Sequence, residues 1–160
     1  KRLGKDGERL QGIFVTVDPE RDQLALLKSY MQNFDPSFLA LRPTPEQLRD
    51  TAQAGLMRQA RRVFTARLDH FAPRLDVRWQ RLTLSSAGTR WGSASADGSI
   101  RLNWRLIHFR EPIIDYVVVH ELAHLREMNH SPRFWQHVEN VLPDYAERRG
   151  ALKDESVPRW

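Results

Sequence analysis

Residues 120–130 read His-Glu-Leu-Ala-His-Leu-Arg-Glu-Met-Asn-His, and this stretch decides how the rest of the chain is interpreted. On an α-helix, positions four apart are separated by about 40° around the axis and about 6 Å along it. His120 and His124 therefore project from one face, and a ring nitrogen of each can bind the same metal ion. Glu121 lies about 100° from His120, beside the metal but off the ligand face, as a base acting on metal-activated water requires.

A catalytic zinc site needs a third protein ligand and one open coordination position. The chain contains no cysteine, so the ligands must come from His, Asp or Glu. His130 follows His124 by six residues and can return to the metal only if the helix ends between them. We predict a helix over residues 112–126 that ends at Met128-Asn129, because Asn tolerates the left-handed conformation that terminates helices. His137 belongs to a separate predicted helix and is interpreted as a core or surface residue.

Apolar periodicity and capping residues predict the elements on either side of this stretch. They are a buried strand over 11–17, a helix from Asp18-Pro19 to before Asp35-Pro36, a short strand over 38–41, a helix from Thr44-Pro45 to about Phe71 with a break expected near Gly55, a strand over 77–84, a hairpin of 91–94 and 99–102 about Asp97-Gly98, the helix over 112–126, a helix from Ser131-Pro132 to about Val141, and a last short helix from Pro143-Asp144-Tyr145.

Composition sets limits on the class of protein. The 160 residues suffice for one ordinary domain or two very small ones, and no apolar run approaches the roughly 20 residues of a membrane span. The start of the chain lacks the apolar segment of a signal peptide, and the absence of cysteine fits a reducing compartment, so we predict a cytoplasmic protein. The net charge of +5 leaves nucleic-acid binding open, but interleaved acidic and basic residues favour a solvated surface.

The motifs from residue 82 onward resemble the YgjP-like metallopeptidases, relatives of the SprT-type zinc proteases, and the resemblance begins near Leu56. The stretches that carry it are Gly-Thr-Arg-Trp-Gly-Ser at 88–93, Ile-Arg-Leu-Asn-Trp at 100–104, Ile-Asp-Tyr-Val-Val-Val-His-Glu-Leu-Ala-His at 114–124, Asn-His-Ser-Pro-Arg-Phe-Trp at 129–135 and Leu-Pro-Asp-Tyr at 142–145.

This resemblance implies an α+β fold with a zincin-like core over residues 56–160: a helix, a small antiparallel sheet, the His-Glu-x-x-His helix and C-terminal helices. It implies that His120, His124 and His130 bind zinc and that Glu121 is the catalytic base of a zinc-dependent hydrolase acting on a peptide or protein. The candidates for stabilising an oxyanion or contacting substrate are Tyr145, Arg90 and Asn103.

Residues 1–50 resemble an internal piece of the SCO/SenC copper chaperones, whose fold is thioredoxin-like. The resemblance rests on Phe-Val-Thr-Val-Asp-Pro-Glu-Arg-Asp at 14–22, Phe-Asp-Pro-Ser-Phe at 34–38 and Thr-Pro-Glu-Gln at 44–47. The copper ligands of that family are a Cys-x-x-x-Cys pair and a distant His, and this segment has neither Cys nor His. We therefore predict a strand–helix–strand fragment that is not autonomous and does not bind copper, joined to the second piece near residues 50–56.

Three alternatives to a zinc metallopeptidase stay open at this point. The first is a zinc-dependent hydrolase of nucleotide phosphoanhydrides, because Arg90, Arg101, Arg105 and Arg133 could bind phosphate. The second is a non-catalytic zinc-stabilised domain with a closed coordination sphere and His137 as fourth ligand. The third is an inactive chimeric domain, since the N-terminal β-rich segment of the YgjP-like family is missing.

Overall fold

The computed structural model describes residues 12–34 and 38–154. Its backbone forms two compact units, Lys1–Ala54 and Gly55–Trp160. The predicted functional division, a thioredoxin-like fragment followed by a metallopeptidase domain, stays a prediction. In the described ranges, no helix is both long enough and apolar enough to cross a membrane.

The first unit contains the predicted strand–helix–strand order: β1 (Ile13–Val15), α1 (Leu24–Gln32) and β2 (Leu39–Leu41). The two strands pair in parallel, with Ile13 opposite Leu39 and Val15 opposite Leu41. Parallel strands cannot be joined by a tight turn, and the connection between them here contains α1. The predicted end of the helix at Asp35-Pro36 lies outside the described residues.

Two predictions for this unit are wrong. Helix α1 begins at Leu24 rather than at Pro19, because residues 19–21 form a turn in which Asp18 Oδ1 accepts a hydrogen bond from the Arg21 amide. The first strand is not buried, since Ile13 and Val15 are 56% and 45% exposed.

Helix α2 (Pro45–Phe71) begins where the sequence predicted it to begin. The Thr44 hydroxyl accepts a hydrogen bond from the Gln47 amide, and the Gln47 side chain accepts one from the Thr44 amide. This reciprocal pair is a capping box, which satisfies amides that the first helical turn leaves free. The helix continues without a break through Gly55. Its buried residues are Ala60, Phe64, Leu68 and Phe71.

The second unit contains a three-stranded sheet in the order β3 (Arg81–Ser85), β5 (Ser99–Asn103), β4 (Gly92–Ala94). The β4–β5 hairpin is antiparallel as predicted, and Gly98 supplies the positive φ of 81° that its turn needs. The prediction of a wholly antiparallel sheet is wrong, because β3 pairs with β5 in parallel. This pairing leaves β4 at an edge of the sheet.

The remaining helices are α3 (Glu111–Ala123), α4 (Pro132–Val141) and α5 (Tyr145–Asp154). A short 3-10 helix, Trp104–His108, connects the sheet to α3. Helix α3 is the centre of the core, since ten of its residues are buried, including Val117, Val118 and Val119. Its apolar partners in the core come from α2, the sheet, the 3-10 helix and α4; they include Phe64, Leu68, Ile100, Leu102, Trp104, Leu106, Phe134 and Val138.

Helix α3 ends earlier than predicted. It stops at Ala123, and residues 124–126 form a turn in which the amides of Arg126 and Glu127 bind the Ala123 carbonyl. Asn129 does not adopt the predicted left-handed conformation. In the described ranges, the one residue other than glycine with positive φ is Asp76. Asn129 instead accepts a hydrogen bond from the Ser131 amide, which shapes the entry to α4.

A buried carboxylate connects three helices of this unit. Asp115 on α3 is held by the Arg67 guanidinium of α2 through two hydrogen bonds of 2.5 and 2.8 Å. Arg148 of α5 approaches the same carboxylate at 3.8 Å and donates to the Pro112 carbonyl at 3.2 Å. The two-point hydrogen bonding between Arg67 and Asp115 offsets the free energy that is needed to bury the charges. Removing one partner leaves a buried charge without compensation and is therefore destabilising.

We expect Asp115→Asn to lower the free energy of unfolding by about 2 kcal/mol, because it leaves the partly buried Arg67 guanidinium with only the exposed Glu111 carboxylate, at 3.4 Å, as an anionic partner. Denaturant titration of the purified chain measures this change. The matched control is Asp144→Asn, which removes a half-exposed partner of Arg148 and should cost less than about 0.5 kcal/mol. Equal effects of the two variants would contradict a central role for Asp115.

Candidate metal centre

Three histidines converge at the end of α3. One ring nitrogen from each of His120, His124 and His130 can be chosen so that all three lie within 4.8 Å of one another. His120 Nε2 and His130 Nε2 are 3.1 Å apart. Two nitrogens bound to one tetrahedral zinc at about 2.0–2.1 Å are separated by about 3.3 Å. The spacing therefore suits two ligands of a single ion.

A hydrogen bond orients the ring of His124, the second candidate ligand. His124 Nδ1 lies 3.2 Å from the Glu127 carbonyl oxygen, which can only accept, so Nδ1 carries the proton and donates. Nε2 of His124 is then left free to bind a metal, in the arrangement by which proteins commonly fix a metal-binding imidazole. The buried Nδ1 of His120 has no hydrogen-bond partner among the described residues.

Two aromatic side chains of α4 pack against the three histidines. Phe134 is fully buried, and its ring centroid lies 4.6 to 4.9 Å from the centroids of all three histidine rings. Trp135 stacks on the exposed His130 ring at 5.7 Å with 21° between the planes. Neither residue was singled out as functional from the sequence. The sequence signal that could have identified them is Ser131, which marks the start of α4. Its hydroxyl accepts a hydrogen bond from the Phe134 amide, so residues 134 and 135 lie about one turn beyond His130.

Glu121 is buried beside this cluster, with 5% of its surface exposed. The edge strand β4 passes directly over it: a Cβ atom added to Gly92 would lie 2.5 Å from Glu121 Oε1 and 2.7 Å from its Cγ and Cδ. Real Cβ atoms essentially never approach other atoms so closely. Glycine is therefore required for this close approach of backbone to carboxylate.

Burial also sets the charge states of these groups. Desolvation, reinforced by the neighbouring His124, His130 and Arg149, lowers the pKa of His120 to about 3. Desolvation likewise lowers the pKa of His124. Both imidazoles are therefore neutral near pH 7, which is the form that binds metal. Desolvation raises the pKa of Glu121 to about 8, and the Arg90 guanidinium opposes this only in part.

The donor set fits zinc. It consists of three imidazoles, which suit zinc, copper, iron and nickel, and it contains no thiolate. Three protein ligands leave a position open, as in catalytic rather than structural zinc sites. Burial disfavours the ionised form of the Glu121 carboxyl group, and a neighbouring dication would favour it.

The other predicted residues fall in different places. Arg90 is exposed but close enough to Glu121 to affect its pKa, and Tyr145 stacks on Trp135 at 5.5 Å. Asn103 is used elsewhere: its amide donates to the Ala87 carbonyl, and its oxygen accepts from the Arg105 amide. We therefore leave Asn103 out of the site. His137 is not part of the three-histidine group found in the described residues.

The family model that describes the YgjP-like metallopeptidase domain matches residues 11–155 of this chain. The chain belongs to the YgjP-like family. The YgjP-like match begins well before Leu56, where the resemblance was expected to start. The family implies a metallopeptidase-type domain with a divalent metal, and the three converging histidines are consistent with such a domain.

Two solved structures resemble this YgjP-like chain. The metallopeptidase zymogen abylysin of Pyrococcus abyssi is 25% identical with a TM-score of 0.52, and the match covers 56% of this chain and 90% of that one. The metallopeptidase zymogen jannalysin of Methanocaldococcus jannaschii is 18% identical with a TM-score of 0.50, over 56% of this chain and 93% of that one, and indicates a shared fold. The α+β class is thereby confirmed.

The curated relatives that match are SCO proteins, as the first segment of the sequence predicted. An SCO2-like protein of Rickettsia prowazekii is 45% identical over 38 residues, which are 24% of this chain and 18% of the relative. The mitochondrial SCO1 protein of Saccharomyces cerevisiae is 41% identical over 49 residues, 31% of this chain and 17% of the relative. The matches thus span less than a fifth of the length of these two relatives, and they support a partial SCO-like segment.

Proposed function

We propose that this chain is a zinc-dependent metallopeptidase in which His120, His124 and His130 bind the metal and Glu121 is the general base. The observation that carries the proposal is the convergence of three histidine nitrogens within 4.8 Å beside a buried carboxyl group. Membership of a family described as metallopeptidase supports a peptide or protein as substrate.

The chemistry divides between the metal and the side chains. Zinc in such a site supplies Lewis-acid chemistry, which polarises a carbonyl group and lowers the pKa of water to about 7. Glu121, beside the ligand face, accepts the proton of the attacking water and later donates it to the leaving amine. The backbone of Gly92 packs against this carboxyl group and, together with burial, restricts it to one position.

The histidines contribute orientation. The hydrogen bond from His124 Nδ1 to the Glu127 carbonyl fixes the tautomer. The fully buried Phe134 packs against all three rings and holds them in place. Arg90, close to Glu121, and Tyr145, stacked on Trp135, are the candidates for stabilising the developing oxyanion. We therefore keep Arg90 and Tyr145 in the proposed site.

The proposal is tested with the purified full chain loaded with zinc. We expect hydrolysis of a mixed peptide library, with the new termini identified by mass spectrometry, and loss of at least about a hundredfold in rate on chelation, because metal activation of water is the main source of catalysis. Restoring zinc should restore the rate.

A parallel assay with nucleoside triphosphates separates the main rival. Phosphate release without peptide cleavage would replace the peptidase proposal by a phosphoanhydride hydrolase. Tight stoichiometric zinc with neither activity would favour the non-catalytic domain. Of the arginines considered for phosphate, Arg105 lies over the Trp104 ring at 4.8 Å and contacts the Ser86 carbonyl, so it is engaged in packing.

A further inference from the structure

A cavity of about 460 Å³ opens in the second unit between the edge strand, α3 and α5. Five residues line it: Trp91, Tyr116, Arg149, Leu152 and Lys153. Two of these carry a positive charge and none carries a negative one. The cavity is large enough for an amino-acid side chain.

The cavity adjoins the histidine cluster. Tyr116 precedes His120 by one helical turn, and their ring centroids are 5.9 Å apart. Trp91 immediately precedes Gly92, whose backbone covers Glu121. A single peptide could therefore place one of its groups between Tyr116 and Trp91 and its scissile bond beside Glu121.

The walls of the cavity are held in place by their own contacts. The Trp91 ring packs edge-on against the buried Phe109 at 5.0 Å. The Arg149 guanidinium lies 4.8 Å from the Trp135 ring centroid, a cation–π contact that restricts its position. Preorganised groups of this kind lose little entropy when a ligand binds. Lys153 is exposed at the rim, where it can move to meet a ligand.

We propose that this cavity is a specificity pocket that binds a carboxylate of the peptide substrate, either an acidic side chain or the terminal carboxylate, between the Arg149 and Lys153 cations. The inference rests on the proposed peptidase function. The guanidinium can form charge-assisted hydrogen bonds with the carboxylate, while Trp91, Tyr116 and Leu152 contact the apolar part of the same residue.

The test measures binding separately from turnover. Zinc-loaded Glu121→Gln full chain is titrated calorimetrically with N-acetylated pentapeptides of alanine that contain one Glu, one Gln or one Lys at each position in turn, all with an amidated C-terminus. A parallel series has only alanine and a free C-terminal carboxylate. We expect one Glu position, or the free carboxylate, to bind at least about fivefold more tightly than its neutral counterpart. The two series distinguish the two sources of carboxylate.

Charge reversal then locates the effect. Lys153→Glu should abolish the preference for the carboxylate without changing the zinc content, because Lys153 lies at the rim. Arg149→Glu should do the same or more, and its zinc content shows whether the contact with Trp135 disturbs the metal site. The matched control is Arg78→Glu, an exposed arginine that does not line the cavity, which should preserve the preference.

The outcomes are separable from those of the proposed function. Equal binding of the Glu, Gln and Lys peptides, or a preference unaffected by Lys153→Glu and Arg149→Glu, would overturn the pocket even if peptides are cleaved. A carboxylate preference that these variants remove would support the pocket even if no peptide is cleaved. Inorganic phosphate that displaces the acidic peptide at lower concentration than acetate would also overturn it, in favour of a phosphate site.

Discussion

Replacement of Glu121 by Gln is expected to lower the rate of peptide hydrolysis about a thousandfold while the chain keeps its zinc. The amide has nearly the same shape as the carboxyl group, so the packing against Gly92 is preserved, but it cannot accept the proton of the attacking water. General acid–base catalysis by a positioned side chain is typically worth about a hundredfold to ten-thousandfold. Zinc should be retained because the three histidines, rather than Glu121, form the proposed ligand set.

The measurement combines single-turnover kinetics with metal analysis of the same preparation. Glu139→Gln is the matched control, because Glu139 is an exposed residue of α4 and undergoes the same chemical change. It should leave both the rate and the zinc content unaltered. Full activity in Glu121→Gln would show that another group is the base, and loss of zinc would show that Glu121 is itself needed to hold the metal.

Replacement of Gly92 by Ala is expected to lower kcat about a hundredfold. The added Cβ would lie 2.5 Å from Glu121 Oε1, so the strand or the carboxyl group must shift, and a displacement of about 1 Å in a catalytic group can cost a factor of about a hundred. The cost falls on Glu121, because its side chain is buried and has little room to move. The three atoms nearest to this methyl group all belong to Glu121, so the affinity for zinc should be preserved.

Gly88→Ala provides the comparison for this variant, since a Cβ at Gly88 meets nothing within 4 Å. We expect Gly88→Ala to retain kcat, and both variants to unfold at similar temperatures. Equal activity of Gly92→Ala and the parent chain would mean that Glu121 tolerates the displacement. A large fall in thermal stability confined to Gly92→Ala would assign the glycine to the sheet rather than to the site.

Local signals in the sequence predicted most of the elements. The Thr44-Pro45 helix start, the Asp97-Gly98 turn and the Ser131-Pro132 helix start each depend on neighbouring residues, and each is observed. The parallel pairing of β3 with β5 was not predicted, because it joins residues 18 positions apart around an intervening strand. The exposure of β1 was missed for a related reason, since an apolar run does not reveal how much of the fold is available to cover it.

In the site, too, local spacing was predictable and contacts between distant residues were not. The convergence of the three histidines was predicted from the spacing of His120 and His124 on one helix and from His130 six residues on, and it is observed. The contacts of Phe134, Trp135 and Gly92 could not be predicted, because they depend on how the turn after α3 folds back and on which strand forms the sheet edge. Asn103 was proposed from its motif alone, and its hydrogen bonds to Ala87 and Arg105 could be seen only once the backbone was folded.

The early end of α3 at Ala123 has an electrostatic consequence. The peptide dipoles of a helix add up to roughly half a negative charge at its carboxyl end, and the effect is confined to the last turn. Because α3 stops at Ala123 and His124 is its C-cap, that turn carries His120 and His124, two of the proposed metal ligands. Had the helix continued to residue 126, the negative end would have moved away from them. The truncated helix thus favours a bound cation by about 0.3–1 kcal/mol, in addition to the ligands themselves.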